Sequence, residues 1–231
     1  MDLITEQRLA RRAAILATAR EMIAESGYEA ITVRDLAQRC RVSVPTLYNQ
    51  FGGKDEVLAA AIQEHFVQVL GENSVEDSEP SFECLINVLD RCSNQFLTLA
   101  TYHQRLLEAF ASLDATAAVQ RRIASQFSRV IATQLEHLQR KRQLAEWSDI
   151  QLLAGQVTNA VIGTAIVWST GHLDDTVLGP AIRYAAGLVL LGAARGRTRV
   201  ELEALVVQAQ LVIARSSRTD NEINEQLAKE V

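Results

Sequence analysis

The stretch from Ile31 to Lys54, ITVRDLAQRCRVSVPTLYNQFGGK, constrains this chain more than any other. It reads as two short helices joined by a tight turn, with a third helix starting at once. Thr32 has the chemistry of a helix N-cap, and Asp35, three residues on, completes a capping-box pattern. Ile31 and Leu36 then occupy the N′ and N4 positions of a hydrophobic staple, which fixes the angle at which the chain enters the helix. That helix turns Leu36 and Ala37 inward and runs to about Cys40. Ser43 caps the second helix, whose first turn holds Val44 and Pro45, a place where the missing N–H of proline has no acceptor waiting. Leu47 and Phe51, four residues apart, anchor this helix to a core. Val44, Thr46, Tyr48, Asn49 and Gln50 are left partly free to face outward. A helix pinned by two apolar residues and presenting small polar groups is what reading a DNA major groove requires. Gly52 and Gly53 end it. Lys54 opens the next helix, where its charge adds to the dipole and suits a phosphate.

Charge supports that reading. The 231 residues carry a net charge of −5, so the chain is not basic overall. Between Ile31 and Lys54, however, Arg34, Arg39, Arg41 and Lys54 stand against Asp35 alone. A local patch suffices for phosphate contact, and an acidic remainder discourages nucleic acid from binding elsewhere. Cys84 and Cys92 lie eight residues apart on one expected helix, roughly 12 Å along its axis and too far for a disulfide. No CxxC pair occurs and histidine is sparse, which leaves no support for a disulfide framework, a metal site or a cofactor. The longest apolar runs fall short of the ~20 residues of a membrane span, and the N-terminus lacks a signal peptide's apolar core. A cytoplasmic protein is expected. No paired carboxylates, Ser/His/Asp arrangement or phosphate-cradling glycine loop emerges, so an enzyme is not expected.

The rest of the chain reads as helix, giving an all-α fold. A first helix, about Glu6 to Ser26, puts Ile15, Leu16, Ala19, Met22 and Ile23 on one face and ends at Gly27, the expected left-handed cap. The segment 55–70 is a further helix with Val57, Leu58, Ala61, Ile62 and Val69 inward, and 71–80 is an acidic linker closed by proline. Amphipathic helices follow over Phe82 to Tyr102, Gln104 to Leu113 and, capped by Asp114, a long helix with Val119, Ile123, Phe127 and Ile131 inward. That helix ends in Arg140, Lys141 and Arg142, a basic run suited to a helix C-terminus. Asp149 to Thr170 and Thr176 to Ala194 are apolar around most of their circumference and rich in small residues. Such helices must be buried on all sides, and a second subunit is the natural cover. A helix from Arg199 to about Arg215 and a polar tail, 217–231, complete the chain.

The run TVRDLAQRCRVSVPTLYNQFGGKDEVLAA, preceded by RRAAILATAREMIAESGY, resembles the N-terminal domain of the TetR family of bacterial transcriptional regulators. The match covers roughly residues 8 to 62. Two positions depart from the family pattern: Arg41 stands where glycine is common in the turn, and Gln50 where His or Tyr often precedes the Phe. Without glycine, the turn at Arg41 needs a left-handed residue or another geometry. The resemblance implies a three-helix DNA-binding domain over 1–54, a connecting helix over 55–70, and a helical effector-binding and dimerisation domain over 81–216.

The expected function is a homodimeric repressor, released from a near-palindromic operator in double-stranded DNA by a small, largely apolar effector. The residues expected to touch DNA are Thr32, Arg34, Ser43, Val44, Pro45, Thr46, Tyr48, Asn49, Gln50 and Lys54. Those expected at a two-fold dimer interface are Gly155, Gly163, Ala185 and Ala186, on the pair of helices that forms a four-helix interface in the family. Phe96, Phe110, Phe127 and Trp168 are the large aromatics available to line an effector pocket, with His103 or Asn159 as polar anchors. His103, Asn159 and Trp168 also suit satisfied core or interface positions. Aromatics make up only 5% of the chain, which favours an aliphatic pocket over a stacking one. Two other functions compete: a helical scaffold that has lost operator binding, and an all-α enzyme with an incidental helix-turn-helix.

Overall fold

The computed structural model describes residues 3–71, 81–111 and 117–227; for 3–4, 62–63, 65–71, 109–111, 117–120, 122–123 and 217–227 it describes the backbone alone. The linker expected over 71–80, apart from Gly71, the cap at Asp114 and the side chains of Ile62, Val69, Phe110, Val119 and Ile123 lie outside it. The described residues form helices and no strand, apart from an isolated bridge between Leu144 and Ala194. The helices are α1 (Leu3–Ser26), α2 (Val33–Arg39), α3 (Val44–Phe51), α4 (Lys54–Gly71), α5 (Phe82–Thr98), α6 (Ala100–Ala111), α7 (Ala117–Arg140), α8 (Ile150–Ser169), α9 (Asp175–Leu191) and α10 (Gly196–Leu227). They divide into two compact units, residues 1–74 with 98–123, and 75–97 with 124–231.

In the first unit, Ile15, Leu16, Ala19 and Ile23 of α1 meet Leu36 of α2, Leu47 of α3 and Val57, Leu58 and Ala61 of α4 in one buried cluster. Ile31 and Leu36 are both fully buried, as the staple requires. Gly27 ends α1 with φ +77°. The same cluster takes in Tyr102 and Leu106 of α6. Sequence periodicity groups this part of the chain with the later helices. The structure instead stacks α6 on α1, because the turn at Leu99 breaks the expected Phe82–Tyr102 helix after Thr98.

In the second unit, α8 and α10 both pack on α9. Asp149 caps α8 by accepting the Leu152 N–H at 3.0 Å. Arg142, with φ +56°, turns the chain out of α7 without a glycine, and the loop after it is tied to the end of α9 by Ala145 N–H to Ala193 O and Arg195 N–H to Gln143 O. Arg183 of α9 forms a two-pronged ion pair with Asp90 of α5, both bonds 2.6 Å. Burial raises the Cys92 thiol to about 12, which keeps it protonated. Helix α10 is longer than periodicity predicts. It continues through the polar segment expected as a tail, as far as Leu227, since no Gly or Pro interrupts it.

The crossing of α9 and α10 depends on Gly187, where an added Cβ would lie 2.6 Å from Cγ2 of Val206. Valine has no flexible end to move aside. Gly187→Ala is therefore expected to destabilise the protein by about 1–3 kcal/mol through overpacking, and Gly187→Ala with Val206→Ala to recover much of the loss. Thermal unfolding of the three variants checks this; equal stability of Gly187→Ala and wild type would mean the helices do not cross so closely.

Candidate nucleic-acid interface

Helix α3 owes its orientation to its ends and its one buried side chain. The Ser43 hydroxyl oxygen accepts the Thr46 N–H at 3.2 Å, and Gly52, with φ +108°, closes the helix by donating to Tyr48 O at 2.9 Å. Leu47 is fully buried. Thr32 likewise accepts the Asp35 N–H at 3.2 Å, but the return contact differs from a full capping box: the Thr32 hydroxyl, not its N–H, meets the Asp35 carboxylate. Between α2 and α3 the non-glycine turn falls on Arg41, with φ +53°. A left-handed residue costs about 1–2 kcal/mol here, offset by Arg41 N–H to Gln38 O and Val42 N–H to Ala37 O.

Pinned in this way, α3 presents Pro45, Tyr48 and Asn49 to solvent, with Thr46 and Gln50 half-exposed beside them. Tyr48 is 52% exposed, large for an aromatic. Val44 packs partly against the core, and the Thr46 hydroxyl lies 2.7 Å from that of Ser43, so both residues belong to the cap as well as to the outward face. Thr32, Ser43 and Arg34 are exposed at the starts of their helices. Lys54 begins α4 with its ammonium 5.2 Å from the centre of the Tyr28 ring, while the Tyr28 hydroxyl donates to Asp55 at 3.0 Å. That contact holds the Lys54 charge at the helix start.

Two electrostatic features lie outside what the sequence pattern predicts. Arg39 forms a double hydrogen bond with Glu25 of α1, whose carboxyl is held below its ordinary range by that bond, so Arg39 contributes little to the free positive charge. In compensation, Arg8 and Arg11 of α1 line a cleft of about 440 Å³ together with Gln7 and with Thr46, Asn49 and Gln50 of α3. The cleft is cationic on one wall and amide- and hydroxyl-rich on the other, a lining that suits a phosphate. Arg12 stacks its guanidinium 4.7 Å from the Phe51 ring centre and braces the end of α3. A charge census of the α2–α3 region alone overlooks these arginines; their spacing of three along α1 is the signal that points to them.

Residues 15–61 match the family described as bacterial regulatory proteins, tetR family. That match runs from the second half of α1 into α4, and this region is similar to the DNA-binding part of that family. The repressor KstR of Rhodococcus jostii is 26% identical over 119 residues, covering 52% of this chain and 56% of that protein. KstR of Mycobacterium tuberculosis is 27% identical over 139 residues, covering 57% and 63%. The chain spans about half the length of the curated relatives it matches. Among solved structures, FadR of Thermus thermophilus, a TetR-family repressor in complex with lauroyl-CoA, aligns with a TM-score of 0.64 at 18% identity over 78% of this chain and 94% of that one. SmeT, the repressor of a multidrug efflux pump of Stenotrophomonas maltophilia, aligns with a TM-score of 0.61 at 20% identity over 81% and 92%. These likenesses share the tetR fold: an N-terminal helix-turn-helix and a helical C-terminal part.

The residues expected at other sites separate. Phe96 and Trp168 are buried together, ring centres 6.2 Å apart, and Phe127 is buried in the same unit. His103 is buried in the other unit, its Nδ1 3.0 Å from Leu99 O. Asn159 is exposed, on the face of α8 that carries Leu152, Gly163 and Val167, opposite the buried Val157, Val161 and Ala165. Gly163 is exposed, while Gly155 and Ala185 are half-buried. Ala186 lies instead in the core of its own unit, one residue away from the outward row Ala181, Ala185, Leu188 and Gly192 of α9.

Proposed function

We propose that the protein is a homodimeric, ligand-responsive DNA-binding repressor acting in the cytoplasm, with α3 as its major-groove element. The observation that carries this is the outward face of α3, Thr46, Tyr48, Asn49 and Gln50, flanked by Arg8, Arg11 and Lys54. Tyr48, Lys54, Arg8, Arg11 and Arg34 contact phosphates, and Thr46, Asn49 and Gln50 reach base edges. Thr32 and Ser43 hold helix starts against the backbone, with Val44 and Pro45 packing beside them.

Affinity for duplex DNA therefore falls steeply with salt, because each neutralised phosphate releases counterions. Lys54→Ala weakens binding to all sequences and reduces the log–log salt slope by about 0.9, whereas Gln50→Ala alters preference at one base pair. Fluorescence anisotropy over a salt series reads both. An unchanged slope for Lys54→Ala would remove that residue from the phosphate contacts.

The dimer forms through the exposed faces of α8 and α9. The unbroken apolar runs are shorter than a membrane span, but α8 as a whole, Ile150–Ser169, is long and apolar enough by length and composition to cross one, and only a third of its most apolar window is buried. Its open face carries Leu152, 71% exposed, and a Cβ at Gly155 or Gly163 would meet nothing within 4 Å beyond the adjacent residues and the helix's own backbone. Bare glycines serving no contact within the chain fit close approach by another one. Asn159 belongs to this face.

The effector is small and largely apolar, held beside Phe96, Phe127 and Trp168. FadR, in complex with lauroyl-CoA, and SmeT, in complex with triclosan, are proteins with this fold whose ligands include an apolar part, the twelve-carbon acyl chain in the first and the chlorinated aromatic rings in the second. To shift nearly all of the protein out of its DNA-competent state, the effector must prefer the other state by about 5.5 kcal/mol.

A further inference from the structure

We propose that the outer face of α10 is an antiparallel coiled-coil seam on which a second copy of this chain pairs, distinct from the α8–α9 contact. Helix α10 is apolar on two opposite sides. One side, Leu202, Val206 and Ala209 with half-buried Leu205, packs inward within its unit, with Val206 and Leu205 closing on Gly187 of α9. The other side carries Val200, Ala204, Val207, Leu211 and Ala214, all exposed, with Val200 at 66%, Val207 at 57% and Leu211 at 54%. A helix whose outer side faced only water would be polar there.

The spacing identifies the occupant as another helix. Val200, Ala204, Val207, Leu211 and Ala214 follow one another at four, three, four and three residues, the repeat of a two-stranded seam. Charge chooses the direction. Glu201 and Arg215 flank the stripe on the same side. In a parallel pair this flank would face the opposite flank of the partner, so that Arg215 met the partner subunit's Gln210 and Glu201 the partner subunit's Gly196, with no ion pair from either. An antiparallel pair that lays Val207 on the partner subunit's Leu211 sets Ala204 on the partner subunit's Ala214 and Glu201 near the partner subunit's Arg215. Two-fold symmetry repeats each of these contacts, so the face is complementary to itself. Glu201 already accepts from Arg197 at 2.6 Å, and a carboxylate has acceptor sites for both guanidinium groups. The stripe is only ~22 Å long, so the pairing is concentration-dependent. Together with the α8–α9 contact, on which this step rests, it joins two dimers into a four-chain assembly with two DNA-reading pairs.

Sedimentation velocity of the full chain at rising concentration tests this, with circular dichroism to confirm that each variant stays helical. Leu211→Glu is expected to halve the limiting mass. Glu201→Arg weakens the larger species, and Glu201→Arg with Arg215→Glu restores it. A fall from four chains to two supports both contacts. A fall from two chains to one keeps the α10 seam and refutes the α8–α9 dimer. A limiting mass unchanged by Leu211→Glu, or no recovery in the charge-swapped variant, overturns the seam.

Discussion

Leu47→Ala is expected to destabilise the N-terminal unit by about 2–5 kcal/mol and to abolish DNA binding. Helix α3 has eight residues, and Leu47 is its one fully buried side chain. A helix that short is not stable in water by itself, so its shape and its docking both come from the pocket that Leu47 fills. Truncation leaves a cavity under a helix held otherwise by its caps and by half-buried Val44 and Phe51. Each kcal/mol lost lowers the melting temperature of a unit this size by about 4–8 °C. Tyr48→Ala is the control. The side chain next in sequence is exposed, so its removal leaves stability within about 0.5 kcal/mol while weakening DNA binding. Thermal melts and anisotropy on both variants separate anchoring from contact, and a Leu47→Ala protein that melts like wild type would refute the anchoring role.

Gly163→Arg is expected to raise the dissociation constant of the α8–α9 dimer by at least about a hundredfold. The exposed face of α8 has Gly163 near its centre, between Asn159 and Val167, with open space where a Cβ would stand. Within a single chain the substitution is harmless, since arginine is a better helix former than glycine by roughly 0.5–1 kcal/mol. Across a two-fold axis the new charge appears twice in a closely packed surface, and a buried unpaired charge costs about 2–5 kcal/mol. A stability gain in the isolated chain combined with a loss of dimer is the signature. Sedimentation equilibrium measures the second and thermal melting the first. Full retention of the dimer would put the interface elsewhere.

Local chemistry was the legible part of the sequence. Both caps, at Thr32 and Ser43, and the staple between Ile31 and Leu36 depend on residues within a few positions of each other, and the structure has all of them. The absence of glycine at position 41 leaves a left-handed residue or another turn geometry open, and the structure has the first, at Arg41. What escaped was tertiary. Nothing in the periodicity of 100–111 says that Tyr102 and Leu106 pack into the N-terminal core. Arg8 and Arg11 reach the α3 cleft only because α1 folds beside it. Asn159 and Ala186 show the limit within one helix. An apolar all-round pattern does not tell which side faces the chain's own core: it leaves Asn159 open between core and interface, where it is exposed, and reads Ala186 as interfacial, where it is buried in its own unit. Polarity alone puts the end of α10 near Arg215, whereas helices stop at glycine, proline or a cap, and none of these interrupts the chain between there and Leu227.

Selection of bound duplexes from a random pool, followed by measurement of stoichiometry and salt dependence on the enriched sequence, tests DNA reading by α3 most directly. The predicted result is a two-fold symmetric sequence, bound by an even number of chains, with half-sites one helical turn or a multiple of it apart. Its affinity should drop steeply with salt, and further on substitution of Tyr48 or Lys54. A pool that yields no common sequence, or a bound complex indifferent to salt and to both substitutions, would contradict the assignment and leave a helical scaffold with a helix-turn-helix that no longer reads DNA.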